Sequence, residues 1–348
     1  MTEWLNLTDA ERLISIQQAS IKSGIATNAI EKDWWVTLVL KALFQSEFAP
    51  HLSFKGGTSL SKGWHLIERF SEDIDVAIER SFLGFEEELT KAGVKKLKRT
   101  ACAFTSTHLK AALEKELTNL GVPTGIVAVT ADPIRPDLPD TDPQTLRISY
   151  GSLLDPVPYI ADSVKLEVSA RSLNEPAVEL PIQSLLGEYM PGFPWSGESF
   201  LVHAVEPKRT FLEKIFLLHE EFLRPLDRIV YERMSRHLYD IERLMGTEHA
   251  EAALSDYAYY NAIVEHRRHF IFKTGVDYDT HHPTTISFIP PEGILPAFEH
   301  DYALMREQMI YDENSRDFAA IFARLNNLLE RVRKIDTGSK ADDPGAGE

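Results

Sequence analysis

Cysteine is almost missing from this chain: Cys102 is the single one in 348 residues. An internal disulfide and a cysteine-built zinc site are therefore excluded. Long apolar runs are missing as well, and none approaches the ~18 residues that cross a bilayer. The opening MTEWLNLTDAERL is polar with early acids, unlike a secretory leader. Positive charge is scarce: 37 Lys and Arg stand against 53 Asp and Glu, a formal net charge of −16. Such a surface does not attract nucleic acid as a whole, although a local basic patch remains compatible with it. Together these absences point to a cytoplasmic globular protein with no membrane contact.

What is present is ordinary for a folded protein. Apolar residues make up 43% and charged residues 26%, enough for a buried core. The length suggests about two domains. NLTDAERLISIQQASIKSG reads as a helix, with Thr8 as N-cap, Glu11 three residues on and Gly24 as its stop. NAIEKDWWVTLVLKALFQS reads as a second, strongly apolar helix. HLSFKGG is a strand running into a turn, TSLSKGWHLI a helix weakened at Gly63, and DIDVAIE an alternating strand. Residues 84–120 are mostly helical. TGIVAVTA, TLRISYGSLL, DSVKLEVSAR and SFLVHAVE read as further strands, with a Pro/Asp loop at 131–144. From Pro207 the pattern turns helical, through KRTFLEKIFLLHEEFL, YERMSRHLYDIERLM, EHAEAALSDYAYYNAIVEHRRHFI and NSRDFAAIFARLNNLLERVRKI. Five or so strands among helices imply an α+β domain around one mixed sheet with flanking helices, over residues 1–205. An all-helical C-terminal domain follows at 206–336, and 337–348 is a disordered tail by composition.

Chemistry gathers in one stretch, FKGGTSLSKGWHLIERFSEDIDVAI. Strand side chains alternate faces. Asp73 and Asp75 therefore share one face, while Ile74, Val76 and Ile78 share the other. Two carboxylates side by side repel unless a cation sits between them, and a hard divalent ion held by oxygen ligands is the usual solution. The alternative is a solvated strand with two exposed acids. Upstream, Gly56 and Gly57 lie between a strand and a helix, where bare backbone can approach an anion. Thr58 and Ser59 add hydroxyls, and Lys62, one turn on, can reach back to a phosphate. The spacing is not that of a Walker A loop.

A third carboxylate is expected from VKLEVSAR. Lys165, Glu167, Ser169 and Arg171 share its polar face, and Glu167 is the acid among them. A cross-strand ion pair is its other reading. In the helical half, Lys214 sits on a helix whose apolar face is Phe211, Ile215 and Leu218. Arg236 and Asp240 are spaced i,i+4, the spacing of a helical salt bridge. Lys91, Lys95, Lys96, Lys98 and Arg99 crowd into nine residues, either as a solvated helix face or as a landing place for RNA.

FKGGTSLSK followed by FSEDIDVAI resembles the signature of the DNA polymerase β-like nucleotidyltransferases. More narrowly it is similar to the AbiEii toxins of type IV toxin–antitoxin systems, related to the MenT toxins. The likeness extends to IEKDWWVTLVLKALF, KLEVSAR and the FLEKIFLLHE…RHLYDIERL pair, about residues 25–245. It implies a nucleotidyltransferase-like sheet and transfer of NMP from an NTP. Gly57, Ser59 and Lys62 would then bind nucleotide phosphates. Asp73, Asp75 and Glu167 would hold Mg²⁺ in a two-metal site, with Lys214 and Asp240 completing it. His237 stands where relatives often carry an acid. The implied acceptor is the 3′ end of a tRNA, and the implied partner a cognate antitoxin in a growth-arrest or abortive-infection system. A protein hydroxyl as acceptor, or a binding module without catalysis, are the competing readings.

Overall fold

The computed structural model describes residues 1–86, 88–134, 141–155, 162–173 and 176–337. Residues 135–140 of the expected 131–144 loop and the expected tail from 338 on lie outside the described residues. Two compact units divide the chain: Met1–Glu206 with Gln308–Glu313, and Pro207–Glu307 with Asn314 onward.

In the first unit, Thr8 caps α1 (Asp9–Ser23) as expected. Its hydroxyl accepts the Glu11 N–H at 3.3 Å, and the Glu11 carboxylate takes the Thr8 N–H at 2.9 Å. Gly24 ends the helix in the left-handed region, at φ 73°, where a Cβ is penalised. α2 (Thr27–Gln45) is buried all round from Ala29 through Leu40, mostly by apolar side chains. There follow β1 (Leu52–Lys55), α3 (Gly56–Lys62) and β2 (Asp73–Ile78). α4 (Lys91–Phe104) and α5 (Lys110–Asn119) flank a π-turn at Thr105–Leu109. β3 (Val127–Ala131), β4 (Gln144–Tyr150), β5 (Ser163–Ser169), β6 (Ala177–Ile182), α6 (Leu185–Tyr189) and β7 (Phe200–Val205) complete the unit.

Among the described residues seven strands form one sheet, in the order β3-β4-β5-β2-β1-β7-β6. The pairs β2–β5 and β1–β7 are parallel and the other neighbours antiparallel, so the sheet is mixed. Its apolar face carries Phe54, Ile74, Val76, Leu166 and Val168, all buried, and α2 packs against β2, β5 and β7. Trp34, Trp35 and Tyr150 extend that core, with Trp35 stacked on Tyr150 at 4.6 Å.

Three elements differ from the sequence reading. The helix read through TSLSKGWHLI stops at Lys62, because Gly63 is where α3 meets β6: a Cβ there would stand 2.9 Å from Leu180. β6 is absent from the sequence reading, since AVELPI contains Pro181. It is an edge strand, where a proline lacking an N–H is tolerated. In the second unit, the long run from Glu248 is broken at Asp256, whose side chain caps a new helix by accepting the Tyr259 N–H at 2.9 Å.

The second unit is helical: α7 (Pro207–Phe222), α8 (Ser235–Leu244), α9 (Glu248–Ser255), α10 (Tyr257–His266), α11 (Leu295–Gln308) and α12 (Phe318–Val332). α7 packs against α8, α9 and α10. Glu220 on α7 is fully buried and takes both Arg267 nitrogens at 2.7 Å. Burial alone would raise its carboxyl pKa, but the hydrogen bonds from His281 and Arg267 hold it well below the usual range.

Beside it, His219 accepts the Ser287 N–H on Nδ1 at 3.1 Å and lies 2.9 Å from the Thr280 hydroxyl through Nε2, an arrangement suited to the neutral ring. Burial pushes its pKa from 6.5 down to about 4. The unfolded chain therefore binds a proton that the folded one refuses, and stability falls as pH drops from about 6.5 to about 4. The expected loss is roughly 3 kcal/mol. His219→Gln should flatten this part of the pH profile, measured by urea unfolding at pH 7, 5.5 and 4.5. Equal slopes for variant and wild type would place the acid sensitivity elsewhere.

Candidate active site

Strand register assembles the polar face. Parallel pairing sets Asp75 beside Glu167 and Asp73 beside Lys165. Antiparallel β1 sets Lys55 on the other flank of Asp75, and β4 sets Thr145 beside Glu167 and Arg147 beside Lys165. Neighbouring strands lie about 4.8 Å apart. One row across the sheet is thus Lys55, Asp75, Glu167, Thr145, and the next is Asp73, Lys165, Arg147. The three carboxylates expected from the sequence share one face, interleaved with cations. Lys165 Nζ reaches Glu167 Oε1 at 3.0 Å. Arg147 forks onto Asp132 at 2.6 and 2.9 Å, the bond that most raises its pKa. Arg171, on the same polar face by its spacing, holds Asp142 at 2.9 Å.

Gly56 and Gly57 fit this face for a steric reason. Gly56 has φ +79°, and a Cβ on it would lie 2.1 Å from Asp75 Oδ2. A Cβ on Gly57 would lie 2.7 Å from Arg69 Nη2 and 2.9 Å from Ser71 Oγ. The turn between β1 and α3 is therefore pressed against the carboxylate, with Arg69 and Ser71 behind it. The sequence reading gives Arg69 and Ser71 no role, although both lie within the stretch it singles out.

The residues after the glycines go separate ways. Thr58 is fully buried, donates its hydroxyl to the Asp73 carbonyl and lies 2.9 Å from Ser71 Oγ, from which it can accept; this fastens α3 to the start of β2. Ser59 is buried with no hydrogen-bond partner for its hydroxyl among the described residues. Lys62, read as reaching back to a phosphate, points elsewhere: it is buried on Asp33 Oδ1 at 2.5 Å and the Gln183 carbonyl at 3.0 Å. A cavity of about 210 Å³ borders α3, lined by Ser61, Lys62, Arg69, Ser71, Glu188 and Tyr189 among others. Asp73, Asp75 and Glu167 are not in its wall.

In the helical unit, Lys214 Nζ lies 2.8 Å from Asp240 Oδ2 and 3.4 Å from His237 Nδ1. Asp240 is fully buried. Lys214–Asp240 joins α7 to α8, where Arg236 and Asp240 share the i,i+4 spacing read from the sequence.

The polar face can be tested for a divalent cation. Its donors are hard carboxylate oxygens on register-matched positions, and Gly56 leaves Asp75 Oδ2 uncrowded, so the chemistry fits. As the side chains stand, no three Asp, Glu, His or Cys residues among those described converge into a formed cluster. Glu167 lies on Lys165, and it must turn toward Asp75 to share an ion.

The chain matches the family model described as the nucleotidyl transferase AbiEii toxin of type IV toxin–antitoxin systems, over residues 38–324. No curated protein sequence matches it. Among solved structures, it is similar to the nucleotidyltransferase toxin MenT4 from Mycobacterium tuberculosis H37Rv, at TM-score 0.52 and 19% identity, covering 95% of this chain and 91% of that one. It also matches a putative nucleotidyltransferase from H. pylori, at TM-score 0.41 and 14% identity, covering 89% and 96%. The MenT4 likeness establishes a shared fold, and the family model covers most of the sequence, the glycine turn and the three carboxylates included. The chain belongs to the AbiEii nucleotidyltransferase toxin family.

Proposed function

We propose that this protein is an Mg²⁺-dependent toxin that transfers NMP from an NTP to the 3′ end of a tRNA in the cytoplasm, blocking translation until a cognate antitoxin neutralises it. The observation that carries this reading is the register that puts Glu167 beside Asp75, on the face that Gly56 presses against. A binding module without catalysis has no need of three carboxylates gathered there. Asp73, Asp75 and Glu167 would hold the ions. Bound Mg²⁺ supplies charge neutralisation at the transferring phosphoryl group and acidifies the attacking hydroxyl. Backbone N–H groups of the Gly56–Gly57 turn would meet the triphosphate. The Ser59 hydroxyl would gain an acceptor, relieving a buried donor that costs about 1–3 kcal/mol unpaired. Lys62 serves the same turn indirectly by anchoring α3 to Asp33. Lys214 and Asp240 would act from the helical unit as a preformed pair. No helix among the described residues is long and apolar enough to cross a membrane. The test is incubation with Mg²⁺, each labelled NTP and total tRNA. Label in protein instead of RNA would favour a hydroxyl side chain as acceptor, and no label with any NTP would sink the proposal.

The basic cluster supports an RNA acceptor. On α4, Val94, Leu97, Ala101 and Cys102 are buried, which leaves Lys91, Lys95, Lys96 and Arg99 exposed. Neutralising Lys95, Lys96 and Lys98 together should weaken RNA binding and flatten its salt dependence, by a log–log slope of roughly 0.7–0.9 for each RNA phosphate that is no longer neutralised. NTP binding should stay unchanged. Unaltered RNA affinity and slope would make the cluster a solvated face.

A further inference from the structure

Three consecutive charged residues, Glu31, Lys32 and Asp33, lie buried in the second turn of α2, at 3%, 1% and 3% exposure. Successive helical residues point about 100° apart, so the three fan out in different directions. Each ends on a different part of the polar face's framework. Glu31 takes the Ser152 hydroxyl and the Leu153 N–H, both at 2.8 Å, just beyond the end of β4. Asp33 takes Lys62 at 2.5 Å and the Leu185 N–H at 2.7 Å, joining α3 to the start of α6. Lys32 donates to the carbonyl of Ser163, the first residue of β5, and lies 3.6 Å from Glu72, the residue before β2. Its ammonium also stands 5.9 Å from the centre of the Tyr150 ring on β4.

β2 and β5 carry the three carboxylates. Their register is a matter of where each strand starts, and one slip of a residue would turn every side chain to the other face. Lys32 touches both starts from below. A buried charge is a poor way to gain stability, since apolar side chains of similar volume often do as well or better. Fixing a geometry is the use that remains. We infer that Lys32 is a positioning residue for nucleotide transfer, holding the entry points of β2 and β5 so that Asp73, Asp75 and Glu167 stay in line, with Glu31 and Asp33 clamping the flanking elements. This rests on the proposed carboxylate site.

The test uses the full chain. Lys32→Met combined with Glu72→Gln removes both charges and leaves neither stranded. Its melting temperature should stay within a few degrees of wild type. Its kcat for transfer to total tRNA should fall about 10- to 100-fold, the usual effect of losing a residue that orients metal ligands. The KM for NTP should change less than about threefold, because the turn that meets the triphosphate is untouched. Mn²⁺ binding without NTP, read by electron paramagnetic resonance, should weaken about tenfold. Glu31→Gln is a milder second variant, expected to show the same split between kcat and KM. If both variants are folded with wild-type kcat and Mn²⁺ affinity, or if only KM moves, the inference is overturned. Asp75→Asn, run in parallel, separates the two ideas: wild-type transfer by it removes the site itself, whereas a dead Asp75→Asn beside a fully active double variant removes only the role of Lys32.

Discussion

Asp75→Ala should transfer nucleotide at less than about a thousandth of the wild-type rate, a loss of roughly 4 kcal/mol of transition-state stabilisation, while the protein stays folded. Asp73→Ala should behave alike. From sequence, two adjacent carboxylates would repel, and removing one would raise stability slightly. The sheet alters that expectation. Asp75 has Lys55 beside it in register and Asp73 has Lys165, so each acid already has a cation on the neighbouring strand. These cations offset part of the repulsion, to which Glu167 beside Asp75 adds, and the melting temperature should move by only a few degrees in either direction. Growth inhibition on expression should disappear with transfer. Unchanged transfer by both variants would remove the metal from the mechanism.

Glu167→Gln is the sharper experiment. The amide keeps the shape and loses the charge. Asp73 and Asp75 remain for the ion that accompanies the triphosphate, so NTP affinity should stay within a few fold. Acidification of the attacking hydroxyl should weaken, and the rate should fall by at least about 10²-fold, equivalent to roughly 2.7 kcal/mol. The competing role is visible in the structure, since Glu167 accepts Lys165 at 3.0 Å. If that pair is all Glu167 does, the variant loses at most about 1 kcal/mol of stability and keeps its rate, because both groups are partly exposed. Wild-type transfer by the glutamine variant would take Glu167 out of the site.

Local signals in the sequence carry a good part of this. The Thr8–Glu11 capping box and the Gly24 stop are legible because every atom involved lies within a few residues. The face shared by Asp73 and Asp75 follows from the period of a strand, and so does the polar face that holds Glu167. What alternation cannot supply is register: that Glu167 falls beside Asp75 and not beside Asp73 depends on how β2 and β5 start. Partners distant in sequence are also beyond reach. Spacing sends Lys62 to a phosphate because its acid, Asp33, sits 29 positions earlier on another helix. The i,i+4 spacing of Arg236 and Asp240 gives no sign that Lys214 also reaches Asp240 from α7. IEKDWW reads as part of an apolar helix, and its three charges give no hint that each is buried against a different element. β6 is hidden by Pro181, whose presence argues against a strand unless the strand is known to be at an edge.

One detail of the chain path bears on how this protein can be taken apart. Gln308–Glu313 belongs with the first unit although it follows most of the second. It supplies backbone partners to the loop before β2: Phe70 donates to the Met309 carbonyl at 2.7 Å, and Tyr311 donates to the Glu68 carbonyl at 3.1 Å. Arg69, which backs Gly57, lies between those two bonds and pairs with Ile310. The sheet-bearing unit is therefore not a portable module. A nonsense codon or a gene fusion placed after residue 206 would leave the sheet intact on paper and strip the brace from the loop behind the glycine turn. A chimera that takes its helical part from another protein must therefore also supply this short returning segment in a compatible form.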